Sequence, residues 1–153
     1  MKVAVGSDHA GFALKERIKR ELQSLGHEVT DVGTSSGTDS VDYPDFAIPV
    51  AERVAAGEAE RGVVVCATGI GTSIAANKVN GARAALVTSD ETARLTRQDN
   101  DSNVLALGGR TSANPEDAVR WLRIWLETPF AGGRHERRVK KIEDYENHHT
   151  LKG

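Results

Sequence analysis

Residues 62–66, GVVVC, are an apolar run with no polar position to turn toward water. A half-exposed strand alternates apolar and polar side chains, so an unbroken run belongs to a strand covered on both faces. Double coverage requires helices above and below a sheet. The flanking sequence supplies them, because short β-branched runs alternate with helical patterns. KVAVG (2–6) is a first strand and HEVTDV (27–32) a second. Between them Leu14, Ile18, Leu22 and Leu25 recur at helical spacing, from Phe12 to a stop at Gly26. A second helix opens at Pro44 and runs to about Gly57, with Pro49 as an interruption. Ser73–Val79 begins a third helix. ARAALV (82–87) and NVLALG (103–108) are further strands, with a helix near Ser89–Gln98 between them. Asn114 reads as an N-cap before Pro115, with Glu116 and Asp117 in the first turn. That helix turns Ala118, Leu122, Trp125 and Leu126 inward, and a last helix starts near Gly133.

Strand–helix–strand connections of this length are parallel crossovers. The expectation is a three-layer, Rossmann- or flavodoxin-like α/β fold, with one domain over residues 1–153. Its five-stranded parallel sheet is expected in the order 2-1-3-4-5. A net charge of −2 offers no electrostatic basis for nucleic acid or an anionic membrane. One cysteine excludes an internal disulfide and fits a cytoplasmic setting. No apolar run approaches the roughly 20 residues that span a bilayer.

Ligands of parallel sheets gather where the strands end. The loops at that edge carry Ser7-Asp8-His9, Thr34 onward, Cys66-Ala67-Thr68-Gly69, Thr88-Ser89-Asp90 and Gly109-Arg110. Cys66 reads either as a small core residue or as a reactive thiolate; a free thiol titrates near about 8.5, and a helix N-terminus lowers that. ATGIGTS (67–73) reads either as a tight turn or as a cradle of amides and hydroxyls for an anion, including a reacting oxyanion. Asp8 suits a helix cap or a sugar hydroxyl, and His9 suits the surface or a phosphate. In RHERRVKK (134–141), Arg134, Arg138 and Lys141 form one helical stripe beside His135. Guanidinium forks suit phosphate, and a C-terminal helix beyond the last strand is placed to reach a partner subunit. No spacing of His, Cys, Asp and Glu argues for a metal.

GSDHAGF (6–12), DYPDFA (42–47), CATGIGTSIAANKV (66–79), NDSNVLALGGR (100–110) and GGRHERRV (132–139) together resemble the ribose-5-phosphate isomerase type B family, which includes galactose-6-phosphate isomerase subunits. The resemblance implies an aldose–ketose isomerase working through a cis-enediolate without cofactor or metal. It implies a sugar-phosphate substrate and a homodimer, or a dimer of dimers, with shared sites. Carried across, Cys66 would be the base and Thr68 would assist proton transfer. Amides of Gly69, Ile70, Gly71, Thr72 and Ser73 would hold the enediolate. Asp8 and Tyr43 would hold hydroxyls, and Asn100 would polarise the carbonyl. His9 and Arg110 would meet the phosphate, with Arg134 and Arg138 from the partner and His135 grouped with them.

One position departs. The ribose enzymes commonly carry histidine, the implied ring-opening group, where RQDNDSN places Asp99. Asp99 either takes that role or signals a substrate with no ring to open, such as a tetrulose 4-phosphate whose O4 is blocked. Other classes fit less well. A flavin carrier would place its phosphate loop after strand one. A cysteine phosphatase would need arginine where Thr72 stands. A non-catalytic sugar-phosphate sensor is the third alternative.

Overall fold

The computed structural model describes residues 1–149; residues 150–153 of the expected domain lie outside that range. The elements alternate as anticipated: β1 (Lys2–Ser7), α1 (Phe12–Ser24), β2 (Glu28–Asp31), α2 (Pro44–Ala55), β3 (Arg61–Cys66), α3 (Ile70–Asn77), β4 (Ala84–Leu86), α4 (Asp90–Asn100), β5 (Val104–Gly108), α5 (Pro115–Glu127) and α6 (Arg134–His149). All strand pairs are parallel.

The sheet order is β2-β1-β3-β5-β4, so the last two strands exchange places relative to the expected 2-1-3-4-5. The reason lies in the strands themselves. VLALG of β5 is buried at every position and takes the lane beside β3. β4 is three residues long, is partly exposed, and directly follows Arg83, whose guanidinium is bonded to the Asp101 carbonyl at 2.9 Å. Such a strand suits an edge. The Asn77 side chain covers that edge, accepting from the Ala84 amide at 2.8 Å and donating to its carbonyl at 2.9 Å.

Two other boundaries matter for function. α3 begins at Ile70, not Ser73, because Gly69 takes a left-handed conformation (φ 79°) and releases the chain straight into the helix. α4 extends through Asn100 and closes at Asp101, itself left-handed at φ 49°. Asp99 and Asn100 therefore belong to a helix end.

Helices cover both faces, as the GVVVC run requires. Val3, Val5, Val63, Val65, Leu105 and Leu107 pack under α1 and α5, with Trp125 fully buried. Ala4, Val64, Val104 and Ala106 pack under α2 and α3. Burying a Val or Leu side chain contributes about 1.5–3 kcal/mol, so this three-layer core dominates the favourable side of folding. At the amino edge of the sheet lies α6: Glu146 accepts from the Gly81 amide at 2.9 Å, and Glu143 lies 3.6 Å from Arg83.

Candidate active site

Cys66 ends β3 at the carboxyl edge and is 4% exposed. Its sulfur accepts from the Gly69 amide at 3.2 Å. The Thr68 hydroxyl oxygen accepts from the Ile70 amide at 3.1 Å, and the Ser73 hydroxyl donates to the Ile70 carbonyl at 2.7 Å. The Gly71 and Thr72 amides, in the first turn of α3, have no protein acceptor among the described residues. A helix start with free amides beside a buried sulfur is a ready cradle for negative charge.

Neighbouring loops close around it. The Asp8 amide donates to the Val65 carbonyl at 3.3 Å, and Asp8 Oδ1 accepts from the Gly11 amide at 2.9 Å. Asp8 is thus buried in the turn that leads into α1, which fixes its carboxylate beside the end of β3. His9 Nδ1 accepts from the Val41 amide at 3.2 Å, so its ring proton sits on Nε2. Tyr43 lies over Gly71, where an added Cβ would stand 2.6 Å from the ring. The Arg110 amide donates to the Ala67 carbonyl at 2.9 Å, and Gly109 approaches Ala10 so closely that a Cβ would sit 2.7 Å from the Ala10 oxygen. Asp8, His9, Tyr43, Cys66, Thr68, the residues 69–73 and Arg110 thus gather at one edge.

The remaining predicted residues do not join them within the chain. α4 starts at the carboxyl edge and returns to the amino edge, carrying Asp99 and Asn100 there. Asn100 lines a cavity of about 570 Å³ with Lys78, Ala82, Arg83, Ile142 and Tyr145. His135, in the first turn of α6, places Nε2 3.5 Å from Asp99 Oδ1. Arg134 and Arg138 are exposed and have no ion pair among the described residues. The structure thus divides the predicted set into a thiol edge and a guanidinium edge.

The sequence reading missed Lys15. It is 1% exposed, and its ammonium donates to Asp31 Oδ1 at 2.8 Å and to the Thr34 carbonyl at 2.7 Å. That contact anchors the start of the 33–43 loop, whose far end presents Tyr43 and the Val41 amide. The available signal was a lysine at helical spacing from Ile18 and Leu22, on the buried face of α1. Burial works to raise the Asp31 pKa, but hydrogen bonds from Lys15, the Gly33 amide and Lys19 outweigh it and hold the carboxyl below its ordinary value.

Fold and site together define a Rossmann-like α/β protein with a cysteine and an anion cradle at the carboxyl edge of its sheet. The chain belongs to the ribose/galactose isomerase family, whose model matches residues 3–142. It is 46% identical over 141 residues to ribose-5-phosphate isomerase B of Escherichia coli (strain K12), covering 92% of this chain and 93% of that one. Ribose-5-phosphate isomerase B of Clostridium thermocellum superposes with a TM-score of 0.94 at 49% identity, covering 98% of this chain and 100% of that one. The enzyme of Mycoplasma genitalium, solved with bound ribulose-5-phosphate, superposes with a TM-score of 0.91 at 39% identity, covering 95% and 96% of the two chains. No helix among the described residues is long and apolar enough to cross a membrane.

Proposed function

We propose that this protein is an aldose–ketose isomerase of phosphorylated sugars, interconverting ribose 5-phosphate and ribulose 5-phosphate. The observation that carries the reading is the buried Cys66 sulfur beside the Gly69 amide, followed by the free amides of Gly71 and Thr72. A C–H next to a carbonyl is a weak acid, so a base needs oxyanion donors at the same place. Cys66 moves the proton between C2 and C1. The first turn of α3 holds the enediolate oxygen, and the Thr68 hydroxyl relays a proton between oxygens. Asp8 and Tyr43 hold sugar hydroxyls. His9 and Arg110 meet the phosphate, whose binding positions the reacting carbons.

The site is completed by a second copy of the chain. β3 has six residues and spans about 20 Å, longer than a five-carbon phosphate can bridge. The partner's guanidinium edge supplies Arg134 and Arg138 to the phosphate, and Asn100 to the carbonyl. A two-fold dimer then builds two such sites.

A second reading comes from Asp99 standing where the ribose enzymes commonly carry histidine: a tetrulose 4-phosphate, which has no ring to open. An isomerase assay with ribose 5-phosphate and erythrulose 4-phosphate separates the two. Faster turnover of the pentose supports the first reading, and faster turnover of the tetrulose the second. In either case Cys66→Ala should bind the sugar phosphate and fail to isomerise it. A wild-type protein that binds both and converts neither is a sensor, and the enzyme reading falls.

A further inference from the structure

We infer that His135, held by Asp99, is the acid–base group that opens the furanose ring of the substrate. This rests on the isomerase reading above and on the partner's amino edge completing each site. His135 Nε2 lies 3.5 Å from Asp99 Oδ1, and the side chains are 14% and 41% exposed. A carboxylate at that nitrogen favours the tautomer with the proton on Nε2, which leaves Nδ1 as a base. The pair stands within the completing face: Asp99 directly precedes Asn100, and His135 lies between Arg134 and Arg138. The other histidine near the site, His9, has its Nδ1 occupied by the Val41 amide.

Ribose 5-phosphate closes its ring through O4, so isomerisation must begin by moving a proton from O1 to O4. The step balances on one imidazole. Nδ1 takes the O1 proton, the C1–O4 bond breaks as C1=O1 forms, and the proton passes from Nδ1 to O4. Cys66 cannot share this task, because it acts on carbon. Among the described residues the Asp99 carboxylate has His135 as its one ion-pair partner, so it is a positioning residue that steadies the imidazolium during the transfer.

Ring opening can be read without isomerisation. In the full-length Cys66→Ala protein, proton transfer at carbon is blocked while the ring can still open and close. Exchange NMR of ribose 5-phosphate should then show α- and β-anomers interconverting at least about 10-fold faster than in buffer. Adding His135→Asn should return the exchange to the buffer rate. Adding Asp99→Asn should lower the acceleration several-fold with sugar-phosphate affinity retained, and Asp99→Glu should restore most of it. No acceleration by Cys66→Ala, or acceleration that survives His135→Asn, overturns the assignment. Should His135→Asn fail to fold, Asp99→Asn decides: full acceleration in that variant equally overturns it. Isomerase turnover by the wild type is a separate measurement, so failure of the parent reading is visible on its own.

Discussion

The Gly69 amide points at the Cys66 sulfur across 3.2 Å, and the contact depends on a backbone conformation that other residues rarely adopt. Forcing an L side chain into the left-handed region costs about 1–2 kcal/mol. A Cβ at this position would also stand 2.9 Å from the Leu107 carbonyl carbon. Gly69→Ala should therefore lower Tm by about 2–8 °C by calorimetry. It should also lower kcat by more than about 10-fold, because the amide leaves the sulfur. Unchanged kcat in the folded variant would show that this contact is dispensable.

The proposed sharing of the site between chains predicts complementation. Cys66→Ala and Arg138→Ala should each be inactive alone. Unfolding and co-refolding them in equal amounts forms mixed dimers with one intact site, restoring about a quarter of wild-type activity. No recovery, with mixed dimers demonstrated by mass spectrometry, would place both groups in one chain.

Tyr43→Phe keeps the ring over Gly71 and removes only the hydroxyl. Tm should stay within about 1 °C of wild type. KM for ribose 5-phosphate should rise about 5-fold, the loss of one hydrogen bond worth about 1 kcal/mol. A large fall in Tm would show that the hydroxyl serves the fold.

Asp31 predicts an acid limb of stability. Its folded-state pKa lies below the ordinary value of 3.8, so its stabilisation is fully present above that value. The contribution is lost as pH falls from about 3.8 through the depressed folded value. Tm measured from pH 6 downward should drop steeply in that window. Asp31→Asn should flatten this part of the profile and lower Tm at pH 6, because Lys15 loses its carboxylate partner.

The layered architecture was legible because GVVVC has no polar face, and the periodicity of α1 and α5 gave the covering helices. The order of the last two strands was not legible from the element sequence, since either strand can follow the same crossover. Comparing VLALG with ARAALV would have decided it: Arg83 adjoins β4, whereas β5 has no charged residue in its run. The start of α3 was placed three residues late because Gly69 and Gly71 resemble loop residues, although the first of them launches the helix. The motifs grouped these residues but gave no information about the edge on which each stands. That depends on helix direction: α4 carries Asn100 away from Cys66. Lys15 escaped notice because a lysine is ordinarily read as solvated, and its carboxylate partner comes from a different element.

The opposition of the two edges has a consequence for how such a catalyst behaves at low abundance. If each chain holds half of two reaction centres, specific activity is set by the association equilibrium as well as by chemistry. Progressive dilution should then silence the protein well before it unfolds, and saturating substrate, which touches both chains, should hold the pair together and delay that loss.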